Sequence, residues 1–501
     1  MFTPTEKEFL QLTKKGNLIP VYTEIPDDLD TPVSAYYRLA RNCKYSFLLE
    51  SVEGEEKVAQ FSFLSCDPEL IIQTKNNDAA ITAIKNNKAI RQTKTFKDSP
   101  LSLIRDTLKK YTFVNLPGLP RFCGGMVGFM SYDIVRFFEK LPHKSTDDLK
   151  LPDIVMILAK NLVIFDHRNH KIKILNCVSV NPDSSNQTKA QQYRKAIKEI
   201  QETSAKLQKP FSITKNRQKP SKQVQLKLKS NLTQGQFVQA VNQAKEHIKA
   251  GDIIQVVLSQ RFEIPLTTDP FNIYRTLRVL NPSPYMYYLD FDGIQIIGAS
   301  PEALIRCENG IVETRPIAGT RPRGQTDAED ATLIQDLLAD PKEKAEHIML
   351  VDLGRNDIGR VCKQGTVQVT EFMGIEKYSH VMHMVSQVRG VLDAQYDDFD
   401  VIKAAFPAGT VSGAPKIRAM EIIEDLENVS RGPYAGCIGY FSFSGNSDTC
   451  ITIRTIVATN KKAYIQTGAG IVLDSDPKKE YTETVNKAKA QIKAIELAKY
   501  L

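Results

Sequence analysis

The chain has 501 residues, of which 42% are hydrophobic and 25% charged, and a formal net charge of +8. This composition is typical of globular proteins with a large core and excludes collagen-like and strongly charged disordered chains. No apolar run reaches membrane-spanning length and the first residues lack the apolar core of an export signal, so we expect a cytoplasmic protein with no membrane contact. The 8 cysteines form no C-x-x-C pair, which favours reduced thiols over a disulfide framework or a zinc site.

Before residue 206 the sequence alternates hairpins and helices. The predicted elements, in chain order, are strands between 45 and 72 with breaks at Gly54 and Asp67, a hairpin of strands 154–165 and 171–180, and a polar helix at 189–206. A polar and basic stretch then covers 206–230 with few acidic residues, which is typical of a solvated linker. It carries no basic motif interleaved with aromatics, so we expect no nucleic-acid binding. The chain is therefore divided into portions 1–205, 206–230 and 231–501.

The second half contains clearer element boundaries. The predicted elements are a helix at 233–250 that opens with a Thr233–Gln236 capping box, strands at 255–262 and 285–297, two helical segments within 329–353, a helix at 414–426, three strands within 435–472 and a long closing helix. Hairpin-linked strands followed by helices predict an α+β fold, in which mainly antiparallel sheets pack together with helices on the outside.

Two helix starts in this half repeat one pattern. Asp340 and Asp476 each precede a proline, as a capping residue before the first helical position does. Each helix then has two glutamates at positions i and i+3, which leave the same face: Glu343 with Glu346, and Glu480 with Glu483. Four such carboxylates could hold Mg²⁺. Acidic residues also favour a first helical turn because of the helix dipole, so the pairs alone favour a structural role.

Motifs between and around these two starts carry a family resemblance. In order they are GDIIQVVLSQRF (251–262), NPSPYMYY (281–288), ASPEAL (299–304), RPIAGTRPRG (315–324), KEKAEHIMLVDLGRNDIGR (342–360), SHVMHMVS (379–386), FPAGTVSGAPK (406–416), ITIRT (451–455), QTGAGIV (466–472) and YTETVNKA (481–488). The chain resembles the chorismate-utilising enzymes, and among them the large subunits of anthranilate synthases, over nearly its whole length.

The resemblance implies a Mg²⁺-dependent lyase reaction. Ammonia attacks the chorismate ring as the ring hydroxyl leaves, and pyruvate is then eliminated to give anthranilate for tryptophan biosynthesis. The family's metal positions fall on the two glutamate pairs, and its catalytic positions fall on Glu302, His383 and Thr410. Its substrate-binding positions fall on Gly319, Thr320, Tyr434, Arg454, Gly468, Ala469, Gly470 and Lys487. We expect Arg454 to lie in a strand of β-branched residues and to bind a carboxylate through its planar fork.

Two positions separate the chain from related families. Isochorismate and salicylate synthases have a lysine that activates water where this chain has Gln255. Aminodeoxychorismate synthases typically have a lysine where this chain has Ala318. Neither Gln nor Ala can act as a base or nucleophile there, so both residues favour anthranilate as the product. Aminodeoxychorismate synthesis and a catalytically silent tryptophan-sensing subunit stay as alternatives.

The resemblance also implies regulation and a partner. Leu48–Ser51 and Asn281–Met286 match the family's tryptophan-feedback segments, with the expected ligand contacts at Glu50, Ser51, Asn281, Pro282, Ser283, Tyr285 and Met286. The portion 1–205 would then be regulatory and partner-facing, and 231–501 catalytic. The sequence has no nucleophilic Cys in a Gly-rich turn with a His-x-Glu partner, so we expect a separate glutamine amidotransferase subunit to supply the ammonia.

Overall fold

The computed structural model describes residues 1–51, 60–85, 88–211, 227–378 and 381–501. The helices are α1 Glu6–Leu12, α2 Pro32–Leu39, α3 Leu101–Leu108, α4 Asn186–Leu207, α5 Gln234–Lys249, α6 Pro270–Leu280, α7 Asp327–Ala339, α8 Pro341–Gly359, α9 Asp398–Ala405, α10 Lys416–Leu426 and α11 Pro477–Leu497. Short 3₁₀ helices cover Tyr132–Phe137, Gly409–Val411 and Ala498–Tyr500. None of the helices in these described ranges is long and apolar enough to cross a membrane.

The strands of the first half are β1 Phe2–Thr3, β2 Leu18–Pro26, β3 Tyr45–Glu50, β4 Phe61–Cys66, β5 Leu70–Lys75, β6 Asp78–Lys85, β7 Lys88–Thr95, β8 Gly125–Met130, β9 Ile154–Ala159, β10 Asn161–Asp166 and β11 Lys171–Ser179. Those of the second half are β12 Lys229–Ser230, β13 Gln255–Pro265, β14 Tyr285–Phe291, β15 Ile294–Ser300, β16 Ala303–Glu308, β17 Ile311–Thr314, β18 Ile317–Pro322, β19 Gln368–Lys377, β20 Val381–Val391, β21 Gly413–Ala414, β22 Cys437–Ser442, β23 Ser447–Ile451, β24 Thr455–Thr459 and β25 Lys462–Ile471.

These strands form two large sheets. The first sheet has the order β1-β2-β11-β10-β4-β3-β14-β15-β24-β25-β13-β12, with β21 added beside β13. The second has the order β18-β20-β17-β16-β23-β22-β8-β9-β5-β6-β7, with β19 also paired to β20. The strand pairs described within both sheets are antiparallel. The predicted α+β fold with mainly antiparallel sheets is confirmed.

The two sheets pack face to face over an apolar core. Phe47 and Leu289 of the first sheet and Phe129 and Ile157 of the second are fully buried members of one cluster. A second cluster lies between the outer face of the first sheet and helices α1, α2, α4, α6 and α11. A third cluster covers the outer face of the second sheet with α3, α8, α9 and α10. Helices therefore lie outside a two-sheet sandwich, as the sequence predicts.

Both sheets contain strands from both sides of the 206–230 stretch. In the first sheet β3 pairs with β14, so that Glu50 lies opposite Met286. In the second sheet β8 pairs with β22 over six residue pairs. The portions 1–205 and 231–501 are thus parts of one continuous structure, and residues 212–226 of the predicted linker lie outside the described residues.

Two predicted strands are each divided in the structure, and these predictions are wrong. The segment 154–165 splits at Lys160, where the chain passes from β9 in the second sheet to β10 in the first. The segment 285–297 is a hairpin, because Asp292 and Gly293 both take left-handed backbone angles (φ 48° and 100°) that reverse the chain. Because hydrophobic residues continue on each side of both breaks, the periodicity of the sequence does not predict where they occur.

The predicted strands within 435–472 number four in the structure, because a further break separates β23 from β24. Arg454 lies in that break with φ 53°, an uncommon conformation for a residue with a side chain. The expectation that Arg454 lies inside a strand is therefore wrong. The left-handed backbone of Arg454 instead lies at the end of the sandwich and directs the side chain toward the candidate site.

Candidate active site

A cavity of about 580 Å³ lies where the first turns of α8 and α11 meet the edges of both sheets. β13 and β25 of the first sheet and β18 and β20 of the second contribute to its wall. The sequence-predicted residues that line it are Gln255, Glu302, Ala318, Gly319, Thr320, Glu343, Glu346, His383, Thr410, Tyr434, Arg454, Gly468, Gly470, Glu480, Glu483 and Lys487. Residues more than 200 positions apart in the sequence thus meet at one place.

Ala469 is the predicted substrate-binding residue that does not line this cavity. Its side chain is fully buried in the cluster formed by α5, α10, β13 and β25. Because side chains alternate between the two faces of a strand, Gly468 and Gly470 face the cavity and Ala469 faces the helices. The predicted contact of Ala469 with substrate can therefore come only from its backbone, and it stays a prediction.

Glu302 and Thr410 form a hydrogen-bonded pair in the cavity wall. The Thr410 hydroxyl donates to Glu302 Oε1 over 2.8 Å. Burial raises the pKa of Glu302 to about 7, although the Thr410 hydrogen bond and the Lys487 ammonium both lower it. A carboxyl group in this state carries a proton for much of the time at neutral pH and can donate it to a bound molecule.

His383 lies on β20, opposite Thr320 of β18. Its Nδ1 is 3.0 Å from Thr320 Oγ1 and 3.3 Å from the Gly319 carbonyl oxygen. Since a carbonyl oxygen only accepts, the contact with Gly319 favours the tautomer that carries its proton on Nδ1. Burial lowers the pKa of His383, which keeps the ring neutral, and Nε2 can then accept a proton.

Cationic and hydroxyl groups lie on the side of α11. Arg454 Nη1 donates to the Lys487 carbonyl oxygen over 3.0 Å. Lys487 Nζ contacts Glu483 at 2.7 Å and the Gly468 carbonyl oxygen at 3.1 Å. Burial lowers the pKa of Arg454, while Tyr434 and Glu483 favour its charge. A guanidinium and an ammonium in one cavity suit an anionic ligand.

Glycines allow close packing in the wall. A Cβ atom on Gly468 would lie 2.6 Å from the Tyr434 hydroxyl, and one on Gly470 would lie 2.6 Å from Gln255 Nε2. Gly319 has φ 73° at a register shift in β18, and its Cβ would lie 3.2 Å from Glu343 Oε2. A side chain at any of these three positions would clash or strain the backbone, so each requires glycine. Glycine at such positions also lets a ligand approach the backbone closely.

The two predicted helix starts are present and share one geometry. The Asp340 carboxylate accepts from the amides of Lys342 and Glu343 at 2.9 and 3.3 Å. The Asp476 carboxylate accepts from Lys478 and Lys479 at 3.0 and 2.8 Å. The Asp340 amide itself bonds to carbonyls of α7, so Glu343 does not close a capping box there. Both glutamate pairs instead line the cavity.

The donor set of this cavity fits a hard divalent cation. Burial, together with Glu343, raises the pKa of Glu346, and burial together with Glu483 raises that of Glu480. A cation with two positive charges would relieve both effects, and Mg²⁺ prefers carboxylates and retained waters. Among the described residues, only Cys43, Cys66 and Asp67 form a group of three such side chains with ligand atoms within 4.8 Å. The four glutamates are thus spaced more widely than in an all-protein cage.

Three polar cavity residues were not predicted from the sequence. Lys342 lines the cavity, and its positive charge opposes the rise in the pKa of both Glu346 and Glu480. Gln466 lines the cavity with a buried amide oxygen that has no hydrogen-bond partner, and Thr467 donates to the Thr484 carbonyl. Lys342 directly follows the Asp340-Pro341 start, and Gln466 opens the QTGAGIV motif. Both residues therefore lie in motifs from which the sequence could have predicted them as site residues.

The predicted tryptophan segments meet at a smaller cavity of about 60 Å³. Glu50, Ser51, Tyr285 and Met286 line it, while Asn281, Pro282 and Ser283 belong to the preceding loop and are not among its lining residues. The Ser51 hydroxyl is buried and has no hydrogen-bond partner within the described part of the chain. Glu50 accepts a hydrogen bond from the Tyr274 hydroxyl and forms an ion pair with Arg278 at 3.1 Å. The Glu50 carboxylate is therefore already paired.

Comparison with known proteins identifies the family of the chain. Residues 67–493 match the model of the chorismate binding enzyme family. The chain is 48% identical to anthranilate synthase component 1 of Acetivibrio thermocellus, over 99% of each chain. It is 49% identical to that of Aquifex aeolicus, over 98% of this chain and 97% of the other.

Solved structures give the same result at the level of the fold. The anthranilate synthase component I of Streptococcus pneumoniae superposes with a TM-score of 0.75 at 38% identity, covering 93% of this chain and 98% of that one. The menaquinone-specific isochorismate synthase of Escherichia coli has a TM-score of 0.69 at 19% identity, covering 98% and 99%, and shares the fold. The chain belongs to the chorismate-binding enzymes, within the anthranilate synthase component 1 family.

Proposed function

We propose that this chain converts chorismate and ammonia to anthranilate and pyruvate, the first step of tryptophan biosynthesis. The observation that carries the proposal is the Glu302–Thr410 pair in a cavity that also holds Arg454 and Lys487. Chorismate is a dianion whose ring hydroxyl is a poor leaving group. The cations suit its carboxylates, and a carboxyl group with a pKa of about 7 suits protonation of the hydroxyl.

The residues of the cavity divide between binding and proton transfer. Arg454 and the Tyr434 hydroxyl bind the enolpyruvyl carboxylate, and the backbone beside Gly468 and Gly470 allows it to lie close to β25. Glu302 protonates the ring hydroxyl as ammonia adds, and Thr410 holds the Glu302 carboxyl in place. His383 accepts a proton through Nε2 in the elimination of pyruvate, since its Nδ1 proton is held by Gly319 and Thr320.

Glu343, Glu346, Glu480 and Glu483 are the residues that would hold Mg²⁺. The metal would supply positive charge against a substrate carboxylate and orient it. The widely spaced carboxylates favour a cation that keeps some of its waters. The helix caps at Asp340 and Asp476 fix the first turns from which these glutamates project.

Gln255 and Ala318 support the choice of nucleophile and product. Gln255 is 4% exposed and its amide lies against Gly470, where a neutral group cannot activate water. Ala318 is 8% exposed on β18 and offers the substrate no amine. Ammonia is already a nucleophile and needs neither group, which supports anthranilate over isochorismate and aminodeoxychorismate.

A turnover assay tests the proposal. The purified chain is incubated with chorismate, ammonium and Mg²⁺ at mildly alkaline pH, with a parallel sample in EDTA. We expect a blue-fluorescent product and an equal amount of pyruvate, both abolished by EDTA. Loss of chorismate without pyruvate would instead indicate an aminated chorismate as the product, and no turnover with an added glutaminase partner would favour the sensor alternative.

We infer that a separate glutamine amidotransferase subunit supplies ammonia in the cell. The numbering of the related proteins as component 1 supports a second component. Co-expression with such a subunit should allow glutamine to replace ammonium at millimolar concentrations. Activity with glutamine from the chain alone would contradict this part of the proposal.

Tryptophan feedback is proposed at the smaller cavity. The unpaired Ser51 hydroxyl and the Met286 side chain are suited to a polar and an indole contact. The ligand's ammonium would compete with Arg278 for Glu50, and the cavity would have to widen. Calorimetry on the native enzyme should show tryptophan binding that is lost in Met286→Glu, and no binding to the native enzyme would refute it.

A further inference from the structure

Cys43, Cys66 and Asp67 meet on the side of the sandwich near α2, outside the catalytic cavity. Cys43 lies just before β3, Cys66 is the last residue of β4, and Asp67 follows it. The ligand atoms of the three side chains lie within 4.8 Å of one another. Cys43 and Cys66 are partly buried and Asp67 is exposed. Their positions in the sequence, 23 residues apart, give no metal-binding signature, and only the fold brings them together.

A fourth donor atom completes the cluster. The Leu39 carbonyl oxygen at the end of α2 lies 3.4 Å from Cys43 Sγ and 3.5 Å from Cys66 Sγ. Its helical partner would be the Cys43 amide, but that amide bonds to Ala40 instead. The carbonyl is therefore one of the groups at a helix C-terminus that have lost their helical partner, and it accepts instead from the two thiols; the helix dipole favours a cation at this end.

The separations match a tetrahedral metal site. Asp67 Oδ2 lies 3.6 Å from Cys43 Sγ and 3.8 Å from Cys66 Sγ, so the four S···O separations span 3.4–3.8 Å. Zinc at about 2.3 Å from sulfur and about 2.0–2.2 Å from oxygen places tetrahedral S and O ligands about 3.6 Å apart. All four S···O separations are thus close to the value that tetrahedral zinc requires.

Access and charge also suit a cation. A cavity of about 190 Å³ reaches Leu39, Cys66 and Asp67 and gives solvent a route to the cluster. The hydrogen bond from Cys43, burial and the Asp67 charge together raise the pKa of Cys66, and Lys206 of α4, which lines the same cavity, opposes this rise. Two thiolates and a carboxylate around a divalent cation leave one net negative charge, which Lys206 can balance.

We propose that Cys43, Cys66, Asp67 and the Leu39 carbonyl bind one soft divalent cation, with Zn²⁺ as the expected ion. Binding converts both thiols to thiolates and releases two protons to solvent, so the charge of the site balances without an oxidant. The ion would join the end of α2 to the β3–β4 pair. The other end of β3 carries Glu50, so the site would stiffen the strand that leads to the smaller cavity.

Metal titration of the reduced, metal-free chain tests this site. Added Co²⁺ should produce thiolate-to-cobalt absorption that saturates at one equivalent and disappears when Zn²⁺ displaces it. Glutamate carboxylates cannot give this signal, so the catalytic cavity does not interfere. Zn²⁺ should also protect two thiols from a thiol reagent, since the other six cysteines are buried.

Four variants sharpen the test. Cys43→Ser and Cys66→Ser should each abolish the absorption while circular dichroism shows a folded chain. Asp67→Asn should weaken Zn²⁺ binding more than about tenfold, since even outer-sphere partners are worth that much. Asn also tolerates the left-handed backbone of Asp67 (φ 53°), and the matched control Asp292→Asn, at an exposed aspartate with φ 48°, should bind like the native chain.

Any one of several results would overturn the proposal. Among them are no thiolate absorption with the reduced native chain, equal absorption in a folded Cys43→Ser variant, and zinc binding without protection of the two thiols. Formation of a Cys43–Cys66 disulfide in air, with no zinc uptake after reduction, would likewise replace the metal site with a redox pair. The site is separate from the proposed catalysis, so none of these results bears on chorismate turnover.

Discussion

At the residue scale, the proposed chemistry depends on how burial acts on Glu302. Removal from water raises its pKa, and the Thr410 hydroxyl and Lys487 ammonium lower it, with burial the larger effect. The balance near pH 7 leaves the carboxyl able both to hold a proton and to give it up under working conditions. The same carboxyl on the surface would be ionised and could not serve as the acid.

The Glu302 pKa predicts a pH dependence. Because the protonated form is the active one, the rate per unit of free ammonia should fall as pH rises through about 7. Thr410→Val removes a hydrogen bond that lowers this pKa, so the falling limb should move to higher pH. Thr410→Ser keeps the hydroxyl and should leave the limb in place. The rates are measured over pH 6–9. If the rate fell at the same pH in the Thr410→Val variant as in the native enzyme, the result would contradict the acid role of Glu302.

The glycines of β25 give a second prediction at this scale. Gly468→Ala places a methyl group 2.6 Å from the Tyr434 hydroxyl and 3.0 Å from the Leu258 carbonyl oxygen, so the wall must shift. A displacement of about 1 Å should lower kcat/KM for chorismate about 10–100-fold. Gly235→Ala in α5 is the control, since no atom lies within 4 Å of its Cβ and Ala favours a helix. Equal kcat/KM in both variants would show that the Gly468 contact is unimportant.

At the element scale, two helix starts place the four glutamates that we propose as metal ligands. Asp340 and Asp476 each accept two amide hydrogen bonds, and a proline follows each of them. Local hydrogen bonds of this kind depend on three or four neighbouring residues, so a single sequence can predict them. Arg321 further ties Asp340 and Glu343 to β18 through ion pairs at 3.0 and 3.5 Å.

Removing one cap should weaken metal binding without unfolding the chain. Asp476→Ala leaves the amides of Lys478 and Lys479 without a side-chain partner and loosens the turn that carries Glu480. The Mg²⁺ concentration for half-maximal activity should rise several-fold, with a small fall in melting temperature. Asp476→Asn retains the acceptor oxygen and should lie close to the native enzyme. An unchanged Mg²⁺ dependence in Asp476→Ala would show that the helix cap does not contribute to the proposed metal site.

Strand breaks were one part of the fold that the sequence did not reveal. The starts of α5, α8, α10 and α11 follow from caps and prolines and are confirmed to within two residues, whereas α8 continues six residues beyond its predicted end at 353. The breaks at Lys160 and Arg454 occur between apolar segments, where a strand crosses between sheets or turns at the end of the sandwich. Tertiary packing determines where these strands break, and the alternation of apolar and polar side chains does not indicate the breaks.

At the scale of the whole molecule, the site exists because two sheets end at one place. Glu302, His383 and Arg454 come from different strand ends, and α8 and α11 close the space between them. Composition and periodicity give no distance between such residues. The family resemblance grouped them and the structure brings them to one cavity, whereas the paired cysteines near α2, which no motif contains, became visible only in the structure.

Both sheets contain strands from the portions 1–205 and 231–501, and this arrangement predicts a single unfolding transition. Leu289 of β14 is fully buried between the sheets, and Leu289→Ala should cost about 2–5 kcal/mol of unfolding free energy. Circular dichroism and activity should be lost together on heating, at a lower temperature than in the native chain. Leu29→Ala is the control because that side chain is 90% exposed. Two separate transitions, with activity surviving the first, would show that the portions 1–205 and 231–501 fold independently.

The most direct test follows labelled nitrogen through the reaction. Native chain and Glu302→Gln are each given chorismate, Mg²⁺ and ¹⁵N-ammonium, and mass spectrometry identifies the products while calorimetry measures chorismate binding. We predict ¹⁵N-anthranilate and an equal amount of pyruvate from the native chain. Glu302→Gln should bind chorismate normally but turn over about 10²–10⁴-fold more slowly. A product without ¹⁵N, a labelled product without pyruvate, or full activity in Glu302→Gln would contradict the account.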